Sequence, residues 1–74
     1  MQISRVAVVC TFAFAQLPIE RIALFHAVEN EASCRAALKA GFRPEGTARQ
    51  SWRYPDGRLH DEHLHSLLRS DLEA

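Results

Sequence analysis

The sequence predicts an α/β (α+β) domain of element order α-β-α-β-β, built as a three-stranded mixed sheet with two helices. Three features carry that expectation. Residues 3–17 run without an internal Gly or Pro and place apolar side chains on one helical face. Residues 30–42 form a short helix with both ends written into the sequence. Pro55-Asp56-Gly57 separates two strand-like segments with a turn, proline presetting one dihedral and glycine supplying the positive one.

Taken in order, residues 3–17 carry two competing signals. The valines, Thr11, Phe12 and Phe14 favour a strand. Ile3, Val6, Ala7, Cys10, Ala13, Phe14 and Leu17 recur at helical spacing, and the length of the run decides for a helix. Pro18 ends it, because the residue before proline is pushed out of the helical region. Residues 21–27, Arg21-Ile22-Ala23-Leu24-Phe25-His26-Ala27, are short, apolar and bounded by turn or cap residues, and read as a buried strand, central in its sheet or covered on both faces.

The next helix is the best punctuated. Asn30 is a favoured N-cap, Glu31 suits the positive end of the helix dipole, and Gly41 followed by Phe42 fits a Schellman-type stop. Alanines and serine give it a small face that lets a backbone come close to a sheet or a ligand. Residues 43–54 are polar but carry Thr47, Trp52 and Tyr54, and residues 58–68 read as a returning strand, so that 47–67 forms a β-hairpin.

Composition narrows the function classes. The 74 residues, 1–74, make one small domain at most, and 47% hydrophobic residues is too high for a disordered chain. Nine basic and nine acidic residues cancel, so no net field recruits nucleic acid or an anionic membrane. The longest apolar run, residues 6–15, falls short of the ~20 residues that span a bilayer, and a single Arg5 ahead of it is a poor start for a signal peptide. Cys10 and Cys34 read as reduced, small hydrophobic residues without a feature that lowers a thiol pKa. A cytoplasmic location follows as the expectation.

Residues 17–68 resemble the second half of a GNAT-superfamily N-acetyltransferase, in its RimJ/RimL-like branch. The match rests on Glu20-Arg21-Ile22 opening a strand, Asn30-x-x-Ser33, Lys39-Ala40-Gly41-Phe42, and Glu45-Gly46. It continues through the Asp56-Gly57 turn, Asp61 and the closing Leu64-x-x-Leu67. The resemblance implies the C-terminal half of an acetyltransferase fold, in which the final strand lies between the other two and strand 21–27 is an exposed edge. It also implies acetyl-CoA as cosubstrate and a primary amine, N-terminal or small-molecule, as acceptor. By that resemblance Asn30 and Ser33 contact the cofactor's pantetheine arm, and Ser33 is the general acid that protonates the departing thiolate.

The departures are equally specific. The resemblance places a pyrophosphate-binding glycine-rich loop just before the first helix, where this sequence has Met1 and Gln2. Trp52 stands where the branch has a catalytic glutamate, and Ala37 where other members have a tyrosine acid. The sequence therefore predicts a truncated acetyltransferase part, with an alternative as a non-catalytic module that pairs through strand 21–27. Its partner would be a second copy, as a homodimer, or a complementary N-terminal half. His60, Asp61, His63 and His65 offer metal-ligand types close together, since 61, 63 and 65 share one strand face. Alternate positions on one strand converge poorly on a tetrahedral ion, and a polar, cross-strand-paired face is expected instead. His26 is expected to be a plain strand histidine, and Trp52 and Tyr54 to pack on the hairpin.

Overall fold

The computed structural model describes residues 5–72. Its elements are α1 (Arg5–Gln16), β1 (Arg21–Ala27), α2 (Glu31–Lys39), β2 (Arg43–Arg53), β3 (Leu59–Leu68) and α3 (Arg69–Leu72). The expected order is present, extended by the single turn of α3. Ile3, part of the expected first helical face, lies outside the described residues, as do Met1 and Gln2. No described helix is long and apolar enough to cross a membrane.

The sheet order is β1-β3-β2, so β3 is central and β1 is an edge, as the family resemblance implies; the reading of 21–27 as a buried central strand is corrected, since Arg21, Ala23 and Phe25 are exposed on the open face. Both hydrogen-bonded pairs are antiparallel, from Arg21↔Leu68 to Ala27↔Glu62 on one side and from Arg43↔Ser66 to Arg53↔Leu59 on the other. The expectation of a mixed sheet is corrected on this point. The helical crossover leaves β1 and β2 running the same way, but β3 lies between them, so the two parallel strands never pair. The hairpin is longer at its open end than the 47–67 expected, because β2 pairs from Arg43 directly after the α2 stop.

Two irregularities bend β2. One extra residue, Glu45, lies between Pro44 and Gly46, and a wider interruption separates Ala48 from Trp52. Within the second, Gln50 takes a positive φ of 48°, held where its N–H donates to Asp61 Oδ1 at 2.7 Å. The hairpin turn closes as expected, with Gly57 at φ 81° and its N–H donating to the Tyr54 carbonyl at 2.9 Å.

Strand alternation assigns the two faces. Ile22, Leu24 and His26 of β1 share a face with His63, His65 and Leu67 of β3. Both long helices pack on that face: Cys10 and Phe14 of α1 and Ala37 of α2 form the core with Phe42 and Leu67, joined by Ile19, Ile22, Leu24 and Ala40. Leu17, expected on the buried face of the first helix, lies past its last residue and is exposed. The segment after α1 is held by Arg69, which donates to the carbonyls of Leu17 and Ile19 and stacks its guanidinium 5.3 Å from the Phe14 ring centroid. The opposite sheet face carries the exposed Phe25 and Trp52, and across it the Arg21 guanidinium makes a two-bond pair with Glu45 at 2.6 and 3.0 Å.

Candidate functional site

The site expected from sequence stands where β1 hands over to α2. After Ala27 a tight turn, closed by the Asn30 N–H on the Ala27 carbonyl at 2.9 Å, brings Asn30 to the head of the helix. Asn30 Oδ1 accepts from the Ser33 N–H at 3.1 Å, which is the N-cap the residue type predicts. Glu31 occupies the first turn and Lys39 the last. The other end is a full Schellman stop: the Phe42 N–H reaches the Ala37 carbonyl, the Gly41 N–H reaches the Leu38 carbonyl, and Gly41 adopts φ 93°. Both ends of α2 are thus fixed by local chemistry, and its position holds Asn30 exposed and Ser33 half-buried. The Ser33 hydroxyl has no protein partner among the described residues.

Of the two positions where the family places catalytic groups, Ala37 stands one turn after Ser33 on α2 but carries no polar group, and Trp52 lies on the other sheet face. Ala37 is fully buried in the core under Leu67 and Phe42. Trp52 pairs with His60, on the sheet face away from α2, and is 67% exposed; the expectation that it packs on the hairpin is corrected. The two irregularities in β2 leave its side chain without a covering neighbour.

One residue beyond Ser33, the structure assembles a group that sequence reasoning did not find. Cys34, on the underside of α2, places its Sγ 3.8 Å from His65 Nε2. The His65 ring stacks on His26 with centroids 5.1 Å apart, and the His63 ring sits edge-on to His26 at 5.4 Å. His26 and His65 are both buried, and His26 Nε2 and His65 Nδ1 make no hydrogen bond. His26 Nδ1 donates to the Ala27 carbonyl at 2.8 Å, so the proton sits there and Nε2 carries the lone pair. Burial, then the neighbouring His26 and His63 rings, hold the His65 pKa below its ordinary value, so His65 stays neutral. Beside it opens a cleft of about 270 Å³ lined by Cys34, Pro44, Gly46, Thr47, His63 and His65. The only signal available earlier was the alternation of His63 and His65. Bringing His26 and Cys34 to them needed the β1–β3 register and the docking of α2.

The other sheet face holds two ionised networks. Glu62, buried, accepts from Tyr54 at 2.6 Å and from Ser51 at 2.7 Å; these bonds lower its pKa and raise that of Tyr54. Tyr54 therefore pairs as expected of a hairpin residue. His60 lies between Glu29 at 2.9 Å and Asp56 at 2.6 Å, whose hydrogen bonds raise its pKa and favour its protonated form. Neither network's hydrogen bonds include Ser33; they hold the turn and β2.

No family model matches the chain. Among curated proteins it is 40% identical over 64 residues to YdaF of Bacillus subtilis (strain 168), which bears the name of a ribosomal N-acetyltransferase; the match covers 86% of this chain and 34% of YdaF. The chain spans about a third of the length of the curated relatives it matches. Among solved structures it resembles a Chromobacterium violaceum ATCC 12472 protein named as a GNAT-family acetyltransferase. The TM-score there is 0.83, with 33% identity over 93% of this chain and 37% of that one. It is similar also to the dodecameric spermidine N-acetyltransferase of Vibrio cholerae, with a TM-score of 0.80 and 25% identity over 90% of this chain and 39% of that one.

Proposed function

This chain is part of a GNAT-superfamily acetyltransferase fold, and from that premise we propose that it forms the pantetheine-facing part of an acetyl-CoA-dependent N-acetyltransferase of the RimJ/RimL-like branch. Its acceptor is a primary amine, either a protein N-terminus or a small-molecule amine. The observation that carries the reading is the head of α2. There a capped helix presents an exposed Asn30 and an unengaged Ser33 hydroxyl at the end of an edge strand.

The residues fit one portion of the cofactor. A pantetheine arm is an extended, amide-bearing chain, and the outer edge of β1 has no pairing strand among the described residues. Backbone donors and acceptors along that edge and the Asn30 amide suit its two amides. The chain's three glycines, Gly41, Gly46 and Gly57, all follow α1, so none of them forms a phosphate cradle ahead of that helix. Acetyl-CoA would supply an activated acyl thioester. This chain's part is to hold the arm at Asn30 and to give a proton from Ser33 Oγ to the departing thiolate.

Calorimetric titration of acetyl-CoA into the purified chain tests this, with Asn30→Asp as the comparison. Aspartate keeps the N-cap but replaces the amide with a charge. Saturable heat that weakens in the variant is expected, with its helix content unchanged. No heat at millimolar acetyl-CoA refutes the reading for this chain.

A second reading is favoured by the open sheet. The outer edge of β1 and the exposed Phe25 and Trp52 would pair with a second copy, as a homodimer, or with a complementary N-terminal half. Light scattering on the isolated chain checks the first partner, and a monomer at high micromolar concentration counts against it. The cytoplasm remains the compartment that fits two free cysteines.

A further inference from the structure

His26, Cys34 and His65 come from β1, α2 and β3, and one ligand atom of each lies within 4.8 Å of the others. We propose that they form a three-ligand site for a zinc-class divalent cation, open at its fourth position to the cleft lined by Pro44, Gly46, Thr47 and His63.

The donor set is the first reason. Two imidazoles and a thiolate suit zinc, which takes Cys and His in tetrahedral sites. With ordinary Zn–N and Zn–S lengths, tetrahedral ligand atoms stand roughly 3.3–3.6 Å apart. Cys34 Sγ and His65 Nε2, at 3.8 Å, are already near that separation. The other two separations lie within 4.8 Å, so ligation would draw the three atoms closer together.

The second reason is what the histidines do with their nitrogens. His26 is 5% exposed and His65 1%, yet each keeps a buried ring nitrogen without a partner. A buried polar atom left unsatisfied is costly, and the described residues carry two such atoms in this cluster, of which a cation held by Cys34 and His65 Nε2 would engage that of His26. For His26 the unpartnered atom is Nε2, because Nδ1–H is committed to the Ala27 carbonyl, and this is the atom a cation would engage; for His65 the unpartnered atom is Nδ1, whereas the nitrogen facing Cys34 is Nε2. That carbonyl bond is the arrangement that fixes a metal-binding imidazole with its lone pair outward. Stacking two imidazoles at 5.1 Å with a third edge-on crowds groups that repel once protonated, whereas neutral rings can share one cation. Among the described residues no side chain offers His26 Nε2 a hydrogen bond. His63 is not among the three residues whose ligand atoms converge; its Nδ1 is engaged by Thr47 Oγ1 at 3.0 Å, and it stands at the cleft wall beside the open position.

Binding displaces one proton, from the Cys34 thiol to solvent, since the imidazoles bind as neutral ligands. The site is independent of the acetyl-CoA reading, and its test uses no acyl donor.

The experiment is a titration of the metal-free, reduced chain with Zn(II) against a chromophoric chelator, and with Co(II) followed by absorption. One equivalent should bind, and the cobalt form should show tetrahedral d–d bands and a thiolate-to-metal charge-transfer band. Cys34→Ser should remove that band and weaken zinc by more than the roughly 10–100-fold that outer-shell partners cause. His60→Gln, on the opposite face, should bind as the parent does. Cys34 is half-buried, so its serine variant is the one least exposed to folding failure, and circular dichroism checks it. On the unaltered chain, zinc should slow alkylation of Cys34 while leaving that of the buried Cys10 unchanged. Cobalt spectra without a thiolate band, equal zinc affinity in Cys34→Ser, or no zinc protection of Cys34 would each overturn the site.

Discussion

Leu67 and Leu68 are neighbours of the same type on the same strand, and the fold assigns them opposite faces. Leu67 is 2% exposed and packed among Cys10, Phe14, Ala37 and Phe42, whereas Leu68 is 38% exposed on the open face. Leu67→Ala removes about three carbons from a closed environment, worth ~0.8 kcal/mol each as transfer alone. A cavity term adds to this where the wall cannot collapse, giving about 2–5 kcal/mol in all. The wall here is fixed by the antiparallel pairs on both sides of β3 and by the α2 stop, so about 3 kcal/mol is expected. A chain of this length holds roughly 4–11 kcal/mol in total, so the loss is a large share of it. Leu68→Ala should cost about 1 kcal/mol or less, because its methyls are already partly in water. Urea unfolding followed by far-UV circular dichroism measures both; Trp52 is too exposed to report by fluorescence. At about 6 °C per kcal/mol for a domain of this size, the two variants should separate by more than 10 °C on heating. Equal losses in the two variants would refute the register on which the core and the histidine cluster both rest.

Asn30→Ala should lower stability by about 1 kcal/mol while Asn30→Ser holds it, as read by chemical denaturation, since only the cap acceptor changes. Gly41→Ala should cost about 1–2 kcal/mol through its φ of 93°, although a Cβ there meets Leu67 Cδ1 at an ordinary 3.8 Å; a neutral result would mean the stop relaxes. In histidine NMR titrations His60 should titrate above the usual ~6.5 and His65 below it. The sign for His60 follows from its raised pKa. Its contribution to stability is full below the unfolded value near 6.5 and is lost as pH rises through the folded one, so His60→Gln should flatten that part of the pH–stability curve. For Glu62 the sign reverses: its lowered pKa gives stability present above the usual ~4.3 and lost as pH falls. Tyr54→Phe should move that loss to higher pH in an acid titration.

Local chemistry written in consecutive residues was enough for the ends of α2 and the turn of the hairpin. Asn30 caps because its oxygen lies one turn from Ser33 N–H, Gly41 ends the helix because it tolerates a positive φ, and Pro55-Asp56-Gly57 turns for the same kind of reason. Hence the order of elements, and the family to which Asn30, Ser33, Gly41 and Phe42 point, were legible in the chain. Quantities that depend on which segments meet were not. Periodicity could not say that β1 and β2, though parallel in direction, are kept apart by β3, nor that Leu17 and Trp52 remain in water. Alternation put His63 and His65 on one side of a strand, but only the Leu24↔His65 register and the docking of α2 brought His26 and Cys34 to them. A cap is a contact between residues three apart, fixed by covalent geometry. The buried histidine–cysteine cluster joins residues 26, 34 and 65, and nothing short of the folded sheet sets the distances among them.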